Sequence, residues 1–486
     1  TAVLLARATR ALARLRPDVS ASRAVPLRQL LALLLSIGLP IGVLAIYPRQ
    51  TLGFLAIAAA LFFAAVVAVR SVALIETLRP RPSRTGQATA IPDAELPVYS
   101  ILVPLVDEAD VLDDLVASLA AIDYPAAKLD VLLVLEERDR KTQAAVATRR
   151  LPPFIRIVVV PDGLPRTKPK ALNYALAFAR GAYLVVYDAE DRPEPDQLRS
   201  ALEAFATGGP DLACVQAPLN IYNARQSWLS KQFALEYSAL FDAILPALHR
   251  LDIPLPLGGT SNHFPRGVID ALLWWDPYNV TEDADLGIRI ARRGWRTATI
   301  TATTWEEAPV EPLQWFRQRT RWLKGWMQTV LVHTRRHRRL RRDLGLWRTL
   351  GLHVYMTGLV VSALAHPWLY VGLVTGYGLD ALGIRPFGDE PLMAGTLYVV
   401  AITTLVGGYV VSIATNIVAG ARRGHTYWFQ PLLTPVYWLM ISTAAYRALY
   451  QLATDPYRWE KTKHGLARGR GQRRRLRANK FLNKLT

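Results

Sequence analysis

The amino-acid sequence predicts a mostly parallel α/β domain inserted between the transmembrane α-helices of a polytopic membrane protein. Three observations predict this architecture. Long uncharged apolar runs occupy both ends of the chain, whereas residues 80–340 contain none of that length. Within that central part, short apolar segments alternate with amphipathic ones. Of the 486 residues, 51% are hydrophobic, which is enough for a large cored domain and a set of membrane helices.

The first two apolar runs, residues 30–47 and 51–69, contain no charged residue. As helices, each is about as long as the hydrocarbon core of a bilayer is thick, so they predict a transmembrane hairpin within residues 30–75. The preceding segment, residues 1–29, is basic and is expected in the cytoplasm by the positive-inside rule. Its arginines include Arg7, Arg10, Arg14, Arg16 and Arg23. A hairpin returns the chain to the cytoplasm, where the central domain is therefore expected.

Three further apolar runs follow the central domain and predict a C-terminal membrane region over residues 345–453. The runs span residues 350–379, 391–420 and 426–446. After them comes a basic tail, residues 454–486, which is expected in the cytoplasm. From residue 455 onward the chain holds 11 Lys or Arg against two acidic residues, and anionic lipid of the cytoplasmic leaflet would attract this charge.

The loop charges leave the number of C-terminal spans open. The loop at 380–390 is acidic and is expected outside, whereas the basic loop at 421–425 is expected inside. A crossing by 426–446 would then leave the basic tail outside, against the same rule. Either the run interrupted by Pro367 crosses twice, or part of 426–446 lies along the interface. The sequence therefore allows five or six spans.

Five short apolar segments of the central domain predict its strands: VYSILVPLV, LDVLLVLEE, FIRIVVVPD, GAYLVVYDAE and DLACVQAP. They are rich in Val, Leu and Ile and are separated by helix-like segments, which is the pattern of a parallel sheet covered on both faces. In such sheets, ligands bind outside the carboxyl ends of the strands. Cys214, the one cysteine, excludes an intrachain disulfide and a Cys-based zinc site.

Acidic residues recur at three of these predicted strand ends: Asp107 and Glu108, then Glu136 and Glu137, then Asp188, Glu190 and Asp191. Helix capping explains isolated acids such as Asp110 and Glu194. Closely spaced carboxylates in a proline-rich loop suit Mg²⁺ or Mn²⁺, which bind oxygen ligands and share them with phosphates. The sequence has neither a P-loop nor a Gly-x-Gly-x-x-Gly turn, which disfavours a P-loop kinase and a dinucleotide dehydrogenase.

Two further clusters complete the candidate site. The segment YNVTEDADLGIRIARRGW begins an amphipathic helix with Thr281, Glu282 and Asp283. The segment WFRQRTRWLKGWMQT predicts a basic, tryptophan-rich helix that leads toward the membrane. On one face of that helix, at spacings i, i+3 and i+4, lie Gln318, Arg321 and Trp322.

With DAE at 188–190, TED at 281–283 and QRTRW at 318–322, the chain resembles the membrane-integrated processive family-2 glycosyltransferases of the cellulose synthase and hyaluronan synthase superfamily. The resemblance covers residues 97–335 by motif and the flanking spans by organisation. Around the DAED and TED motifs it is nearer to bacterial curdlan and mixed-linkage β-glucan synthases. It implies a GT-A-type domain over residues 96–335, located on the cytoplasmic side of a bacterial inner membrane, with the QRTRW helix at the interface.

The resemblance also implies roles for the residues of the site. Asp283, with Glu282 and Thr281 of the same motif, would be catalytic, taking a proton from the acceptor hydroxyl as this attacks C1 of the donor sugar with inversion. Asp188, with Glu190 or Asp191, would hold Mg²⁺ or Mn²⁺ against the diphosphate. Nucleotide and acceptor binding would involve Asp107, Glu108, Glu136, Lys168, Asp188, Gln318, Arg321 and Trp322.

Within that set, the three acids of the first two strand ends would contact the uridine. Arg321 would pair with the pyrophosphate through its planar fork, and Trp322 would stack under the acceptor sugar. Two positions depart from the family pattern: Glu190 stands in place of an aspartate, and residues 136–137 are two glutamates in place of two aspartates. Both departures keep the carboxylate that the chemistry needs.

The implied function is processive polymerisation of a β-glucan from UDP-glucose, of mixed β-1,3/1,4, curdlan or cellulose-like linkage, with translocation across the inner membrane. Two alternatives stay open: a poly-N-acetylglucosamine-type synthase that uses UDP-N-acetylglucosamine, and a non-processive glycosyltransferase that acts on a membrane lipid. Expected partners are the UDP-sugar, the growing polysaccharide, membrane lipid and a periplasmic export partner, with no nucleic acid. The tail is also a candidate for cyclic-dinucleotide binding, although it is too short for a folded regulatory domain.

Overall fold

The computed structural model of the chain describes residues 2–23, 25–79, 91–383, 391–460 and 465. In chain order its α-helices are α1 (Ala2–Leu15), α2 (Leu27–Ile46), α3 (Pro48–Leu78), α4 (Leu112–Ala120), α5 (Arg140–Ala147), α6 (Lys168–Ala175), α7 (Gln197–Gly208), α8 (Trp228–Ala239), α9 (Leu245–Arg250), α10 (Arg266–Ala271), α11 (Glu282–Ala291), α12 (Pro312–Thr334), α13 (His337–Leu352), α14 (Gly358–Ala381), α15 (Pro391–Arg422) and α16 (Thr434–Thr454). Single π-helical segments, Leu240–Ile244 and His353–Thr357, join α8 to α9 and α13 to α14.

The strands are β1 (Tyr99–Leu105), β2 (Leu129–Glu136), β3 (Ile155–Val160), β4 (Tyr183–Val186), β5 (Arg192–Pro193), β6 (Leu212–Gln216), β7 (Leu219–Ile221), β8 (Asn262–Pro265), β9 (Arg296–Thr299) and β10 (Thr304–Glu306). Seven of them form one sheet in the order β3-β2-β1-β4-β8-β6-β9. In that sheet β8 alone runs antiparallel to its neighbours, β4 and β6. The sheet is therefore mostly parallel, as predicted.

Alternate residues of the central strands point to opposite faces, and both faces are covered. One face carries Leu102, Leu132 and Val134, which pack with helices α6, α10 and α11. The other face carries Ile101 and Leu133, among others, and packs with α4, α5 and α7. All eight residues of β2 are buried. This two-sided burial is the reason the strands read as continuous apolar runs in the sequence.

Two parts of the domain were not predicted. One is the pair of strands that flank β6 in the large sheet, β8 and β9, and the other is a small sheet in the order β5-β10-β7. These strands have two to four residues each. Such lengths are too short to show a periodic apolar pattern, and β8 (NHFP) buries polar side chains.

The described helices can be compared with the predicted membrane spans. Within the described residues, four helical segments are long and apolar enough to cross a membrane: Leu27–Ile46, Gly53–Leu78, His337–Gly376 and Ile402–Arg422. The first two correspond to the predicted N-terminal hairpin. The other two follow the α/β domain and overlap the first two of the three predicted C-terminal apolar runs.

Helix α16, which covers most of the third C-terminal apolar run, begins and ends against the α/β domain. Just before it, the side chain of Gln232 donates a hydrogen bond to the carbonyl of Gln430 (2.7 Å). Just after it, Lys324 donates to the carbonyl of Asp455 (3.3 Å). Since both ends contact the same domain, these contacts favour the alternative in which this segment lies along the interface. The contacts place residue 455 beside the α/β domain, and the number of spans stays a prediction.

Part of the surplus positive charge makes contacts within the protein. Arg335 donates to the carbonyl of Ser20 (2.8 Å), and Arg339 forms an ion pair with Asp18 (3.0 Å), so both residues fix the N-terminal segment. The remaining arginines of 335–342 are exposed, as expected for residues that face anionic lipid. Residues 466–486, which carry most of the basic tail, lie outside the described residues.

Candidate active site

The carboxyl ends of β1, β2 and β4 meet at one edge of the sheet, because β1 pairs in parallel with both neighbours. This edge brings together the acidic residues that follow the three strands. The loop 188–191 after β4 is held in place by hydrogen bonds within the loop. Its backbone closes a turn in which the amide of Asp191 donates to the carbonyl of Asp188 (3.2 Å).

Asp191 holds this loop from the inside. Its side chain is buried, and Oδ2 accepts hydrogen bonds from the amide of Asp188 (2.6 Å) and from the hydroxyl of Thr260. Oδ1 of Asp191 is buried and has no hydrogen-bond partner among the described residues. Burial, followed by the charges of Asp188 and Glu190, raises the pKa of Asp191 well above its usual range. Asp191 thus orients the loop, and the Asp188 side chain remains about one-third exposed to the cleft.

Lys168, the first residue of α6, lies between two acidic groups. Its Nζ donates to Asp188 Oδ1 (2.5 Å) and to the carbonyl of Gly259 (2.8 Å). Burial alone would lower the pKa of Lys168, but the charges of Asp188 and Glu282 outweigh it and raise that pKa. The lysine therefore stays charged and places a fixed cation between the DAED loop and the TED motif.

The TED motif is docked onto the QRTRW helix, α12. The Asn279 side chain donates to Thr329 Oγ1 (2.9 Å), and the amide of Val280 donates to Gln328 Oε1 (3.2 Å). Thr281 packs directly on Gly325, where an added Cβ would overlap the Thr281 side chain. These three contacts fix the start of α11, and with it Asp283, relative to α12.

Asp283 is the carboxylate of this motif that faces the cleft. It is partly exposed, its Oδ1 accepts from the amide of Ala284 (2.8 Å), and its Oδ2 faces Gly259. Burial in the cleft raises the pKa of Asp283, while Lys168 and Arg321 oppose the shift. The neighbouring Glu282 is buried, and burial with the charge of Asp283 raises its pKa to about 7. A raised pKa makes Asp283 a stronger proton acceptor than a free aspartate.

The QRTRW side chains extend from these acids to the membrane side of α12. The Arg321 guanidinium lies 5.7 Å from the ring centre of Trp459. Its charge opposes the rise in the pKa values of Glu282 and Asp283 that burial causes. The Trp322 ring packs near Phe233, with ring centroids 5.9 Å apart. Gln318 is buried, and its Oε1 has no hydrogen-bond partner among the described residues.

The comparisons with known proteins identify the domain that carries this arrangement. A family model described as "Glycosyltransferase like family 2" matches residues 97–325. Residues 97–325 form a family-2 glycosyltransferase domain. This confirms the predicted enzyme class, and the GT-A-type fold with its mostly parallel sheet is confirmed as well.

Relatives of this glycosyltransferase domain match about half of the chain. One is a probable glycosyltransferase, YdaM, of Bacillus subtilis, 26% identical over 51% of this chain and 60% of that protein. Another is a beta-monoglucosyldiacylglycerol synthase of Synechocystis, 26% identical over 52% of each chain. The matching part thus spans roughly half to three-fifths of the length of these relatives. A solved mannosyltransferase of Pyrobaculum calidifontis, in complex with GDP-Man and Mn²⁺, shares the fold with a TM-score of 0.52, 19% identity, and coverage of 83% of this chain and 99% of that one.

The three acidic residues predicted to contact the nucleotide lie at the expected edge of the sheet, but their surroundings differ from one another. Asp107 is exposed and forms an ion pair with Lys141 (3.4 Å). Glu136 is buried and forms an ion pair with the buried Lys170 (2.9 Å), which the sequence did not single out. Glu108 is buried too, and its amide donates to Thr142 Oγ1 (3.2 Å). Contact of these three acids with a uridine stays a prediction.

The predicted metal ligands lie in an acidic pocket that also holds a residue the sequence analysis missed. Glu306, at the end of β10, has a pKa raised well above its usual range by burial and by the charges of Asp191, Glu190 and Asp188. In the segment TWEEA, acidic residues end a strand, as they do in the DAED segment. The strand itself was too short to be recognised from the sequence. Among the described residues, no group of three or more His, Cys, Asp or Glu side chains is arranged to hold a metal ion. The metal role of Asp188, Glu190 and Asp191 therefore remains a prediction.

A cavity of about 500 Å³ leads from the QRTRW helix into the membrane helices. Trp322 and Arg319 line one end of it, and α3, α14 and α15 form its walls together with α8 and α16. Most of the lining side chains are aliphatic or aromatic. Arg319, the second residue of QRTRW, which the sequence analysis passed over, also lines the cavity and forms an ion pair with Glu236.

The segment after α16 crosses the QRTRW helix, which the prediction of a lipid-facing tail did not anticipate. Gln328 donates to the carbonyl of Pro456 (2.8 Å), and Lys324 donates to that of Arg458 (2.6 Å). Farther along, the amide of Gly465 donates to Glu307 Oε2 (2.7 Å). This part of the tail therefore packs on the catalytic domain.

Substituting Gly259 by alanine is expected to lower kcat/KM by about tenfold, because even small displacements of reacting groups are costly. The added methyl would meet Asp283 Oδ2 at 3.3 Å, and the Gly259 carbonyl holds Lys168. Initial rates with saturating acceptor measure the effect. Gly267→Ala is the matched control, since a Cβ there meets nothing within 4 Å. Equal rates for the two variants would contradict the close approach of Gly259 to the base.

The pH dependence of kcat/KM should follow the raised carboxyl pKa of Asp283. Because the base must be ionised, activity falls as the pH falls through that pKa, at higher pH than for an ordinary aspartate. Glu282→Gln should keep this acidic limb, since burial is the main cause of the Asp283 shift, and should remove only the titration near pH 7. Loss of the acidic limb in Glu282→Gln would assign the base to Glu282 instead.

Proposed function

We propose that this glycosyltransferase moves a hexosyl unit from a UDP-sugar, with inversion, onto a hydroxyl of a membrane lipid acceptor. The observation that carries the proposal is the cavity between the membrane helices, whose lining includes Trp322 on the helix that also anchors the TED motif. An acceptor that enters from the bilayer would reach the catalytic base without leaving the protein.

The residues at the site support a single displacement at C1 of the donor sugar. Asp283, with its raised pKa, accepts the proton of the attacking hydroxyl. The bond between C1 and the diphosphate breaks as the new glycosidic bond forms, which inverts the configuration at C1. Arg321 and Lys168 are the cations nearest the two acids of TED, and they balance the negative charge that the departing UDP carries.

A divalent cation, Mg²⁺ or Mn²⁺, fits the acidic pocket. Burial and the charges of Asp188 and Glu190 raise the pKa values of Asp191 and Glu306 there, and Asp191 Oδ1 is buried without a hydrogen-bond partner among the described residues. Asp188 and Glu190 would hold the ion from the cleft side, with Asp191 orienting the loop. When bound, such an ion supplies Lewis-acid stabilisation of the diphosphate.

The walls of the cavity favour a lipid as the acceptor. Most of the lining side chains are aliphatic or aromatic, and α3 contributes a continuous run of Ala, Phe and Val, whereas α15 adds the polar Thr404, Ser412 and Asn416. An acyl or polyprenyl chain gains free energy from contact with such walls, whereas a hydrated glucan needs many hydrogen-bonding groups. The similarity to a beta-monoglucosyldiacylglycerol synthase supports the same choice.

The second candidate is processive synthesis of a β-glucan from UDP-glucose, exported through the same cavity. The observation in its favour is the set of aromatic rings near Trp322, namely Phe233, Tyr237 and Trp326, on which sugar rings can stack. The product would have mixed β-1,3/1,4, curdlan or cellulose-like linkage. A synthase that polymerises N-acetylglucosamine from UDP-N-acetylglucosamine would use the same groups.

Membranes that contain the protein separate these candidates when they are incubated with radiolabelled UDP-glucose or UDP-N-acetylglucosamine and Mg²⁺ or Mn²⁺. Solvent extraction divides the label between lipid and polymer. We expect the label in a discrete glycolipid, with none in membranes that carry Asp283→Asn. A high-mass product that linkage-specific glucanases degrade would overturn the lipid proposal in favour of the polymer. Labelling that persists unchanged with Asp283→Asn would overturn both.

A further inference from the structure

Arg70, on the membrane helix α3, lines the cavity and has no acidic partner within ion-pair distance among the described residues. Its NH1 donates to Ser412 Oγ of α15 (2.7 Å), and its guanidinium lies 4.8 Å from the ring centre of Trp438 on α16. A cation among membrane helices is costly unless it faces a partner or an aqueous path. The position of Arg70 therefore calls for an anionic ligand.

The charges that line the cavity do not cancel without such a ligand. The charged side chains among its described lining residues are Arg70, Glu236 and Arg319. Glu236 already accepts two hydrogen bonds from the Arg319 guanidinium and a third from the hydroxyl of Tyr437 (2.8 Å). Glu236 and Arg319 thus neutralise each other, and the cavity keeps one net positive charge, that of Arg70.

Arg70 also lies at a specific level of the cavity. On α3 the lining residues begin at Ala56 and end at Arg70, a distance of about 21 Å at 1.5 Å per residue. All of those before Arg70 are apolar. One turn beyond Arg70, Ala73 packs against Ala243 and Ala247 of the catalytic domain. The cavity therefore has an apolar part away from the domain and a cationic group near the domain.

We propose that Arg70, with Ser412, binds the phosphate of the acceptor lipid, so that the acceptor is a phosphate-bearing lipid with a free hydroxyl beyond the phosphate. This rests on the proposed lipid acceptor. The order along the cavity matches the order along such a molecule: hydrocarbon chain, phosphate at Arg70, and hydroxyl toward Trp322 and Asp283. A guanidinium suits a phosphate because it donates two parallel hydrogen bonds to it.

The chemistry at the base supports the same order of groups. A phosphate oxygen that attacked C1 directly would already be ionised and would need no proton acceptor. A proton acceptor such as Asp283 is needed when the nucleophile is a hydroxyl. The phosphate held by Arg70 would therefore be a recognition group and not the nucleophile. Lipids of this class include glycerophospholipids with a hydroxylated headgroup and lipids that carry a sugar on a phosphate or diphosphate.

The test measures lipid binding to the full-length protein by native mass spectrometry, without any donor sugar. The probes are dioleoyl phosphatidylglycerol, the neutral dioleoylglycerol and inorganic phosphate. We expect one tightly held phosphatidylglycerol that dioleoylglycerol and millimolar inorganic phosphate do not displace. Arg70→Gln should weaken its binding by about tenfold or more, the size of one lost charge-assisted contact, whereas Arg70→Lys, which keeps the charge but not the two parallel hydrogen bonds, should weaken it less.

Two further variants make the result specific. Ser412→Asp would give Arg70 a carboxylate partner at the position of the present hydrogen bond, so it should abolish phosphatidylglycerol binding even if Arg70→Gln folds poorly. Arg422→Gln removes a cation at the end of α15 that contacts the carbonyl of Arg79 outside the cavity, and it should bind like the unsubstituted protein.

Unchanged binding in both Arg70→Gln and Ser412→Asp would overturn the proposal, as would equal binding of dioleoylglycerol. If inorganic phosphate alone displaced phosphatidylglycerol, the site would bind free phosphate, and the proposal that the phosphate belongs to a lipid would be overturned. The binding measurement needs no turnover. If phosphatidylglycerol does not bind but lipid is still labelled from the UDP-sugar, the protein is a lipid glycosyltransferase whose acceptor carries no phosphate. If no lipid is labelled at all, the proposed function itself fails.

Discussion

Asp283→Asn is expected to lower kcat by about 10³-fold, within the range that a positioned general base contributes. Asparagine has nearly the same shape and can keep the hydrogen bond from the Ala284 amide, so the start of α11 should stay in place. It cannot accept the proton of the attacking hydroxyl. Single-turnover rates of sugar transfer, with acceptor and donor prebound, measure the effect on the chemical step.

Two controls accompany this prediction. Donor binding, measured by calorimetry, should change little in Asp283→Asn, because Arg321 and Lys168 remain. Asp270→Asn alters an exposed aspartate of α10 that pairs with Arg266 (3.0 Å) away from the cleft, and it should leave the rate unchanged. A rate for Asp283→Asn within tenfold of the original would exclude Asp283 as the base.

Lys168→Met is expected to lower kcat/KM for the donor by about 10²- to 10³-fold, the cost of removing one preorganised electrostatic group. Lys168 bridges Asp188 and the Gly259 carbonyl, and it is the cation that most directly offsets the acidic pocket. Without it, Asp188 would face Asp191, Glu190 and Glu306 without the ammonium group that now contacts it. The pocket would then repel the diphosphate and would hold the Gly259 loop less firmly.

Arg166→Met is the matched control for this variant. Arg166 precedes Lys168 by two residues and forms an exposed ion pair with Asp162 (2.7 Å), so its loss should change kcat/KM less than twofold. Thermal unfolding of both variants checks that neither has lost the fold. A similar loss of activity in the two variants would mean that general positive charge near α6, and not the position of Lys168, supports catalysis.

The sequence was informative where residues form contiguous patterns. The strands β1, β2 and β4 are buried on both faces, so each appears as an unbroken apolar run. TED and QRTRW could be placed because a helix fixes the spacing of their side chains. The docking of Thr281 on Gly325 could not be predicted, because nothing in either segment indicates that a glycine on one helix receives a threonine from another.

Long-range pairing explains the other misses. Glu136 was recognised as a strand-end acid, but its partner Lys170 lies 34 residues away and looked like one of several lysines. The course of α16 was ambiguous because an apolar helix of 21 residues can cross a membrane or lie along it. Only the contacts of Gln430 and Asp455 with the catalytic domain distinguish the two cases. Arg70 appeared as a single charge at the edge of an apolar run, and its position in a cavity depends on α15 and α16.

The docking of TED on α12 also bears on how the enzyme responds to its bilayer. Trp322 lies one turn from Gly325, so the surface that receives the acceptor and the segment that carries Asp283 share one rigid support. If the domain tilts as membrane thickness changes, both groups tilt together and the distance between them is preserved. Lipid composition should therefore change how often an acceptor arrives, seen in the acceptor KM, while the rate of bond formation stays constant from one membrane to another.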